Sequence, residues 1–296
     1  MKTIFSTLVL TTIILFHMEV QAQNPRTIKT GNFDLQVYNA SENSFGVASI
    51  LVSGKQDAIL IDAQFTLADA EAVAQEIKAS GKNLKTIYVS HGDPDFYFGL
   101  QVFKTYFPEV TVYATPATVE HIKATAQKKL EVWGSRLGNI ITTNIILPQV
   151  LQENALELEG EKLEIIGLED FPKRTFIYIP SSEAVVGGIN IFSDNFHVWM
   201  ADAQTKATRK EWVSILDKIE SLNPKVVIPA HGNKDTQLNL TSVAHTKNYI
   251  AFYEEALKTN TTSEDLIHTM KKQYPNATFE TALQIGAKVN TGEMKW

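Results

Sequence analysis

Residues 86–99 read TIYVSHGDPDFYFG. The apolar run Ile87-Tyr88-Val89 stops abruptly at Ser90-His91-Gly92-Asp93-Pro94-Asp95. A short apolar run of this kind reads as a strand buried on both faces. A helix is expected to follow Asp95. Between strand and helix, His91, Asp93 and Asp95 fall at alternate positions, and each can bind a metal ion or carry a proton. Open α/β sheets hold their ligands at the carboxyl ends of strands, so this junction is the first candidate for a site.

A second junction matches it. Residues 225–232, KVVIPAHG, are again an apolar strand closed by His231 and Gly232. Of the seven histidines, only His91 and His231 share this setting. Two strand ends can bring them together although they are far apart in sequence. His121 sits mid-helix in TVEHIK and reads as part of a solvated face. His245 and His268 fall in C-terminal helical segments and read as structural. His197 lies in FSDNFHVWMADAQT with Asp194 and Asp202, a segment both polar and aromatic, as pocket linings are.

Outward from the first junction the pattern continues. DAILIDAQ is a buried strand, and TLADAEAVAQEIKASG is a helix capped by Thr66 and stopped by Gly81. Strand, helix, strand predicts a parallel pair with a right-handed crossover. Upstream, FDLQVYNA and FGVASILVSG read as strands. Downstream the pattern predicts one helix through FYFGLQVFKTYF, a strand at EVTVYATP and a long helix from Pro116. Strands return in NIITTNIIL, ALELEGEKLEIIGL and RTFIYIPSSEAVVGGINIF, with turns at Glu159-Gly160 and Pro180-Ser181-Ser182. KATRKEWVSILDKIESLNP is helical, with Trp212, Ile215, Leu216 and Ile219 on one face. Residues after 237 read as two or three helices. This order predicts two sheets covered by helices. No glycine-rich phosphate loop follows a strand, which argues against a nucleotide site.

The composition is 44% hydrophobic and 20% charged, ordinary for a globular chain. A formal charge of −6 offers no basic surface to nucleic acid or to an anionic membrane. Residues 1–22 combine Lys2, an apolar run over 4–16 and Val20-Gln21-Ala22, and read as an export signal with the mature chain starting at Gln23. The mature protein is expected in the periplasm or outside the cell, free of the membrane after cleavage. One domain is expected over 23–240, with 241–296 a helical extension packed on it. There is no cysteine, hence no disulfide, no thiolate nucleophile and no cysteine zinc site.

VSHGDPDFYFG followed far downstream by VVIPAHG resembles the metallo-β-lactamase superfamily, with AILIDAQ as that family's early strand ending in Asp. The resemblance covers about residues 30–235. It implies an α/β fold, the αββα sandwich of two mixed sheets flanked by helices, with metals at one edge. The family's His-x-His-x-Asp-His reads here His91-Gly92-Asp93-Pro94-Asp95-Phe96. His91, Asp95 and His231 match ligand positions. Asp93 stands where a second His is expected, and Phe96 stands where the last one is. The turn that carries a middle His in the family has none here, only Glu169 or Asp170. The bridging Asp of a Gly-Asp turn is replaced within VVGGINIF, where Asn190 offers at most a neutral oxygen. His197-Val198-Trp199-Met200-Ala201-Asp202 matches a His-x-Trp-x-x-Asp segment of a divergent exported branch.

The expected function is a metal-dependent hydrolase acting on a small ester, lactone or lactam through a metal-activated water. One divalent ion is expected on His91, Asp93, Asp95 and His231, with Asn190 and Asp202 as additional candidates. Zinc is preferred, with manganese or iron as alternatives because carboxylates harden the site. Asp95 would orient the water and His197 would steady an oxyanion. Two other readings stand beside this one: a metal-poor binding protein or pseudoenzyme, and a mononuclear iron oxygenase using His91, His231 and Asp93 or Asp95.

Overall fold

A computed structural model describes residues 25–41 and 44–296. The export signal expected over 1–22 lies outside the described residues. Among those described, no helix is long and apolar enough to cross a membrane.

Seven strands make the first sheet: β1 (Arg26–Thr30), β2 (Phe33–Asn39), β3 (Ala48–Ser53), β4 (Asp57–Ile61), β5 (Asn83–Tyr88), β6 (Thr111–Ala114) and β7 (Gln149–Val150), in that spatial order. Pairs from β1 to β4 are antiparallel and pairs from β4 to β7 are parallel. The sequence reading missed β1, whose RTIKT is a half-exposed edge strand without an apolar run. The second sheet contains β8 (Ala155–Leu158), β9 (Glu161–Ile166), β10 (Phe176–Ile179), β11 (Ala184–Val186) and β12 (Val226–Val227), ordered β12-β11-β10-β9-β8. Only β11 and β12 pair in parallel.

Alternation along the strands decides which side chains meet. Leu35 and Val37 of β2 and Ile50 and Val52 of β3 pack between the sheets with Leu163 and Ile165 of β9 and Ile177 and Ile179 of β10. Leu51, Leu60 and Ile87 of the first sheet and Val185 and Val227 of the second belong instead to the core shared with the helices. Those helices include α1 (Leu67–Ala79), α2 (Pro94–Tyr97), α3 (Leu100–Tyr106), α4 (Pro116–Leu137) and α5 (Lys206–Ser221). Thr66 caps α1 by accepting from the Asp69 N–H, as its sequence predicts. In α5 the predicted stripe of Trp212, Ile215, Leu216 and Ile219 is fully buried, each residue contributing about 1.5–3 kcal/mol. Three further helices, α6 (Thr241–Ala256), α7 (Ser263–Gln273) and α8 (Glu280–Asn290), place Tyr249, Leu266 and Leu283 in the same core. The architecture is the two-sheet, helix-flanked sandwich that the element order predicts.

Two local expectations are corrected. FYFGLQVFKTYF is not one helix, because Gly99 separates α2 from α3 and donates its N–H to Gln64 O at 3.0 Å. NIITTNIIL is not a strand. Gly138–Ile140 forms a 3-10 turn, and the Thr142 hydroxyl lies 2.7 Å from both Gln101 Oε1 and Asn144 O. Such local side-chain bonds compete with a sheet ladder.

Candidate functional site

The site grows from the ends of β4 and β5. Asp62 follows β4 in the left-handed region, with φ +64°, and is fully buried. Its carboxylate accepts from the Ser90 N–H at 2.7 Å and the Ser90 hydroxyl at 2.6 Å. The Ser90 Oγ in turn accepts from the Gly188 N–H at 2.7 Å. One residue thus ties the carboxyl ends of β4 and β5 to the loop after β11, and it fixes the residue before His91. Burial pushes the Asp62 carboxyl up to about 7, against the two Ser90 hydrogen bonds.

His91 and Asp93 form a first pair. The Asp93 N–H donates to His91 Nδ1 at 3.3 Å, and that Nδ1 lies 3.4 Å from Asp93 Oδ2. Burial lowers His91 to about 3, so it is neutral at pH 7. With Nδ1 accepting, its proton sits on Nε2. Asp93 is also ion-paired to the Lys129 ammonium, which donates to Gly92 O at 3.2 Å and sits 3.1 Å from His121 Nε2. Burial opposes the Asp93 charge, but His91 and Lys129 outweigh it and hold the carboxyl below its usual range. Lys129 and His121 both come from α4, eight positions apart and therefore on one face. Gly92 permits their approach, since a Cβ there would lie 2.5 Å from His121 Cδ2.

Asp95 and His231 form a second pair, with Asp95 Oδ2 3.6 Å from His231 Nε2. The His231 backbone bridges Val47 on one side and Phe192 on the other, joining the two sheets. Its ring stacks on Phe192 at 4.8 Å and on Phe279 at 5.7 Å. Phe45 O lies 3.1 Å from Nδ1, so Nδ1 carries the proton and Nε2 presents a lone pair to Asp95. Burial lowers His231 to about 4, and burial followed by the Asp93 charge raises Asp95 well above the carboxylate range. The pair therefore leans toward a protonated Asp95 facing a neutral imidazole.

Phe96 stands between the pairs. Its ring centroid lies 5.3 Å from that of His91 and 6.0 Å from that of His231. Of the remaining candidates, His197 and Asn190 are held by other partners, while Asp202 lies close enough to Asp93 and Lys129 to feel their charges. His197 is fully buried, with Nδ1 3.1 Å from the Tyr249 hydroxyl and Nε2 without a partner. Its N–H donates to Thr278 O, which holds the residue in the core beside α6. Asn190 spends its amide on Arg174 O at 2.8 Å. Asp202 accepts from Trp296 Nε1 at 2.6 Å, and desolvation followed by the Asp93 charge raises its carboxyl to about 6, against Arg174 and Lys129. Glu169 and Asp170 are exposed.

The loop before β10 instead supplies Arg174. Its Cζ lies 4.1 Å over the Trp212 ring, its Nη1 is buried without a partner, and its charge further depresses His91 after burial and Asp93 are counted. Sequence reasoning missed Lys129, Arg174 and His121. The spacing of 121 and 129 on one helix was the available signal for two of them.

Among the described residues, no three His, Asp or Glu side chains converge closely enough to hold one ion. The chemistry of the donor set agrees. One pair already holds an ammonium, the other favours a protonated acid, and an apolar ring separates them. As arranged here, these residues do not fit a resident metal.

The described family model of the metallo-beta-lactamase superfamily matches residues 43–176. The crystal structure of DIM-1 metallo-beta-lactamase aligns with a TM-score of 0.54 at 17% identity, over 77% of this chain and 98% of that one. A metallo-beta-lactamase from Pontibacter korlensis gives 0.52 at 16%, over 77% and 99%. TMB-1 gives 0.53 at 18%, over 78% and 99%. No curated protein matches the chain. With the motif positions and both mixed sheets in place, residues 43–176 match the metallo-β-lactamase superfamily model and the fold is that of the metallo-β-lactamases. At such identities the solved structures speak for the fold alone.

Proposed function

We propose that this protein is a metal-poor member of the metallo-β-lactamase superfamily that binds a small molecule at the strand-end site. The carrying observation is the division of the potential ligands into two pairs by Phe96, one pair already neutralised by Lys129. An aromatic wall supports the reading. Phe45, whose carbonyl contacts His231, packs its ring on Phe65, Trp133, Trp199 and Phe279 at 5.2–6.5 Å between centroids. Phe45, Trp133 and Trp199 are half-buried. A few polar groups against an aromatic wall are what small-ligand sites present. The ligand class is a small ester, lactone or lactam. Its apolar body would lie on the wall, and its carbonyl would accept from the Nε2–H of His91. Carried by the leader in residues 1–22, the protein would act in the periplasm or outside the cell.

The test uses residues 23–296. Elemental analysis of the purified protein is expected to find no stoichiometric metal. Ligand-observed NMR with lactones, lactams and nitrophenyl esters is expected to show binding that His91→Ala weakens. Stoichiometric metal together with turnover overturns the reading.

A second reading, a hydrolase with a single ion, is favoured by one observation. The His231 Nδ1 donates to Phe45 O, which leaves Nε2 free toward Asp95, the tautomer a metal-binding imidazole needs. Metal-dependent turnover lost in His231→Ala decides for it.

A further inference from the structure

We propose that Lys129 is a tethered cation standing in for a metal ion at the His91–Asp93 end of the site. Its ammonium has three protons, and three acceptors meet it: the Asp93 carboxylate, Gly92 O at 3.2 Å and His121 Nε2 at 3.1 Å. Carboxylate, carbonyl and imidazole are the donor kinds that divalent ions take from proteins. They come from two separate elements, the loop after β5 and the helix α4, and the ammonium joins them as a bound ion would.

The seat is built rather than accidental. Helix α4 sets His121 and Lys129 on one face, and the missing side chain of Gly92 leaves room for His121 to close on the loop. The Lys129 and Asp93 side chains are 22% and 21% exposed, so dissolved ions reach them. Exclusion of a metal is therefore electrostatic and not steric. An incoming divalent cation meets a fixed positive charge that already holds the carboxylate it needs.

This inference rests on the metal-poor reading of the site but concerns this end alone. Lys129→Met keeps the length of the side chain and removes its charge. Zinc binding is followed by equilibrium dialysis with elemental analysis, and in parallel by thermal unfolding. K129M is expected to hold about one zinc more than the wild type, at least tenfold tighter than any wild-type binding at this end. Adding Asp93→Asn or His121→Ala is expected to abolish the gain. A wild type carrying one ion at Asp95 and His231 would count against the metal-poor reading, yet the extra ion in K129M would still support this one. A folded K129M that binds no more zinc than the wild type overturns it.

A second measurement covers poor folding of that variant. Lys129→Ala is expected to regain several degrees of melting temperature in ethylammonium chloride but not in ethanol at equal concentration. Equal responses to the two additives, or none to either, would also overturn the proposal.

Discussion

His231 Nε2 faces Asp95 Oδ2 at 3.6 Å, and the Phe96 ring lies 6.0 Å from the His231 ring and 5.3 Å from the His91 ring, centroid to centroid. A third donor at position 96 would complete the two ligands already aligned. Phe96→His is therefore expected to create zinc binding that the wild type lacks. Without metal the variant should lose about 1–3 kcal/mol, the cost of a buried polar ring without partners. Zinc at one hundred times its Kd should return about 2.7 kcal/mol. Denaturant unfolding with zinc and with a chelator reads both, and identical curves in the two conditions would count against this account of the pair.

Asp62 sets a pH dependence with a definite sign. Its folded value of about 7 lies above its ordinary 3.8. The folded chain keeps a proton that the unfolded chain releases, so stability falls as pH rises from about 4 to about 7 and the full cost is present above 7. At 1.36 kcal/mol per unit the cost is on the order of 4 kcal/mol. Asp62→Asn cannot titrate. The stability of the variant minus that of the wild type, taken from urea midpoints across pH 4 to 7, should rise steadily in the variant's favour. A flat difference means that Asp62 ionises normally in the fold.

Gly99 has no space for a side chain. A Cβ would lie 1.9 Å from Ala63 O and 2.6 Å from Ala70 Cβ. The first of these is backbone held within the site, because the Ala63 N–H donates to Phe96 O at 2.8 Å. Gly99→Ala is expected to cost about 3 kcal/mol or more and to displace Phe96. Chemical denaturation measures the first effect, and the histidine ring signals in NMR report the second.

Trp212 holds the Arg174 loop from below. Its Nε1 donates to Asn190 O at 2.9 Å while the guanidinium lies over its ring. Trp212→Phe keeps a ring but strands a buried carbonyl, at a cost of about 1–3 kcal/mol. Trp212→Ala should cost about 3–5 kcal/mol and also loosen Arg174. If alanine and phenylalanine prove equally destabilising, the ring is not what supports the guanidinium.

Residues such as Thr66, Trp212 and Ile219 announce their elements directly, because a cap and an apolar stripe have local causes. Gly99 does not, since the helix break it makes is set by Ala63 on another segment. The predicted strand at NIITTNIIL fails for a similar reason: Thr142 finds Gln101, which no window around it contains. The site divides along the same line. His91 and His231 were legible because each closes an apolar strand. His197 has a pattern just as suggestive, yet its backbone bond to Thr278 turns it into the core.

The sequence by itself determined the order of strands and helices, the two strand ends that carry histidine, and the loss of His from positions 93 and 96. Local periodicity and residue identity suffice for all of these. Only the tertiary structure decided that Asp93 faces an ammonium and not a metal, and that Phe96 divides His91 from His231. It also decided that the loop before β10 sends in Arg174 and not Glu169 or Asp170. Each of those outcomes depends on a helix or loop docking across the strand ends, and docking is settled by packing between residues that no short stretch of sequence holds together.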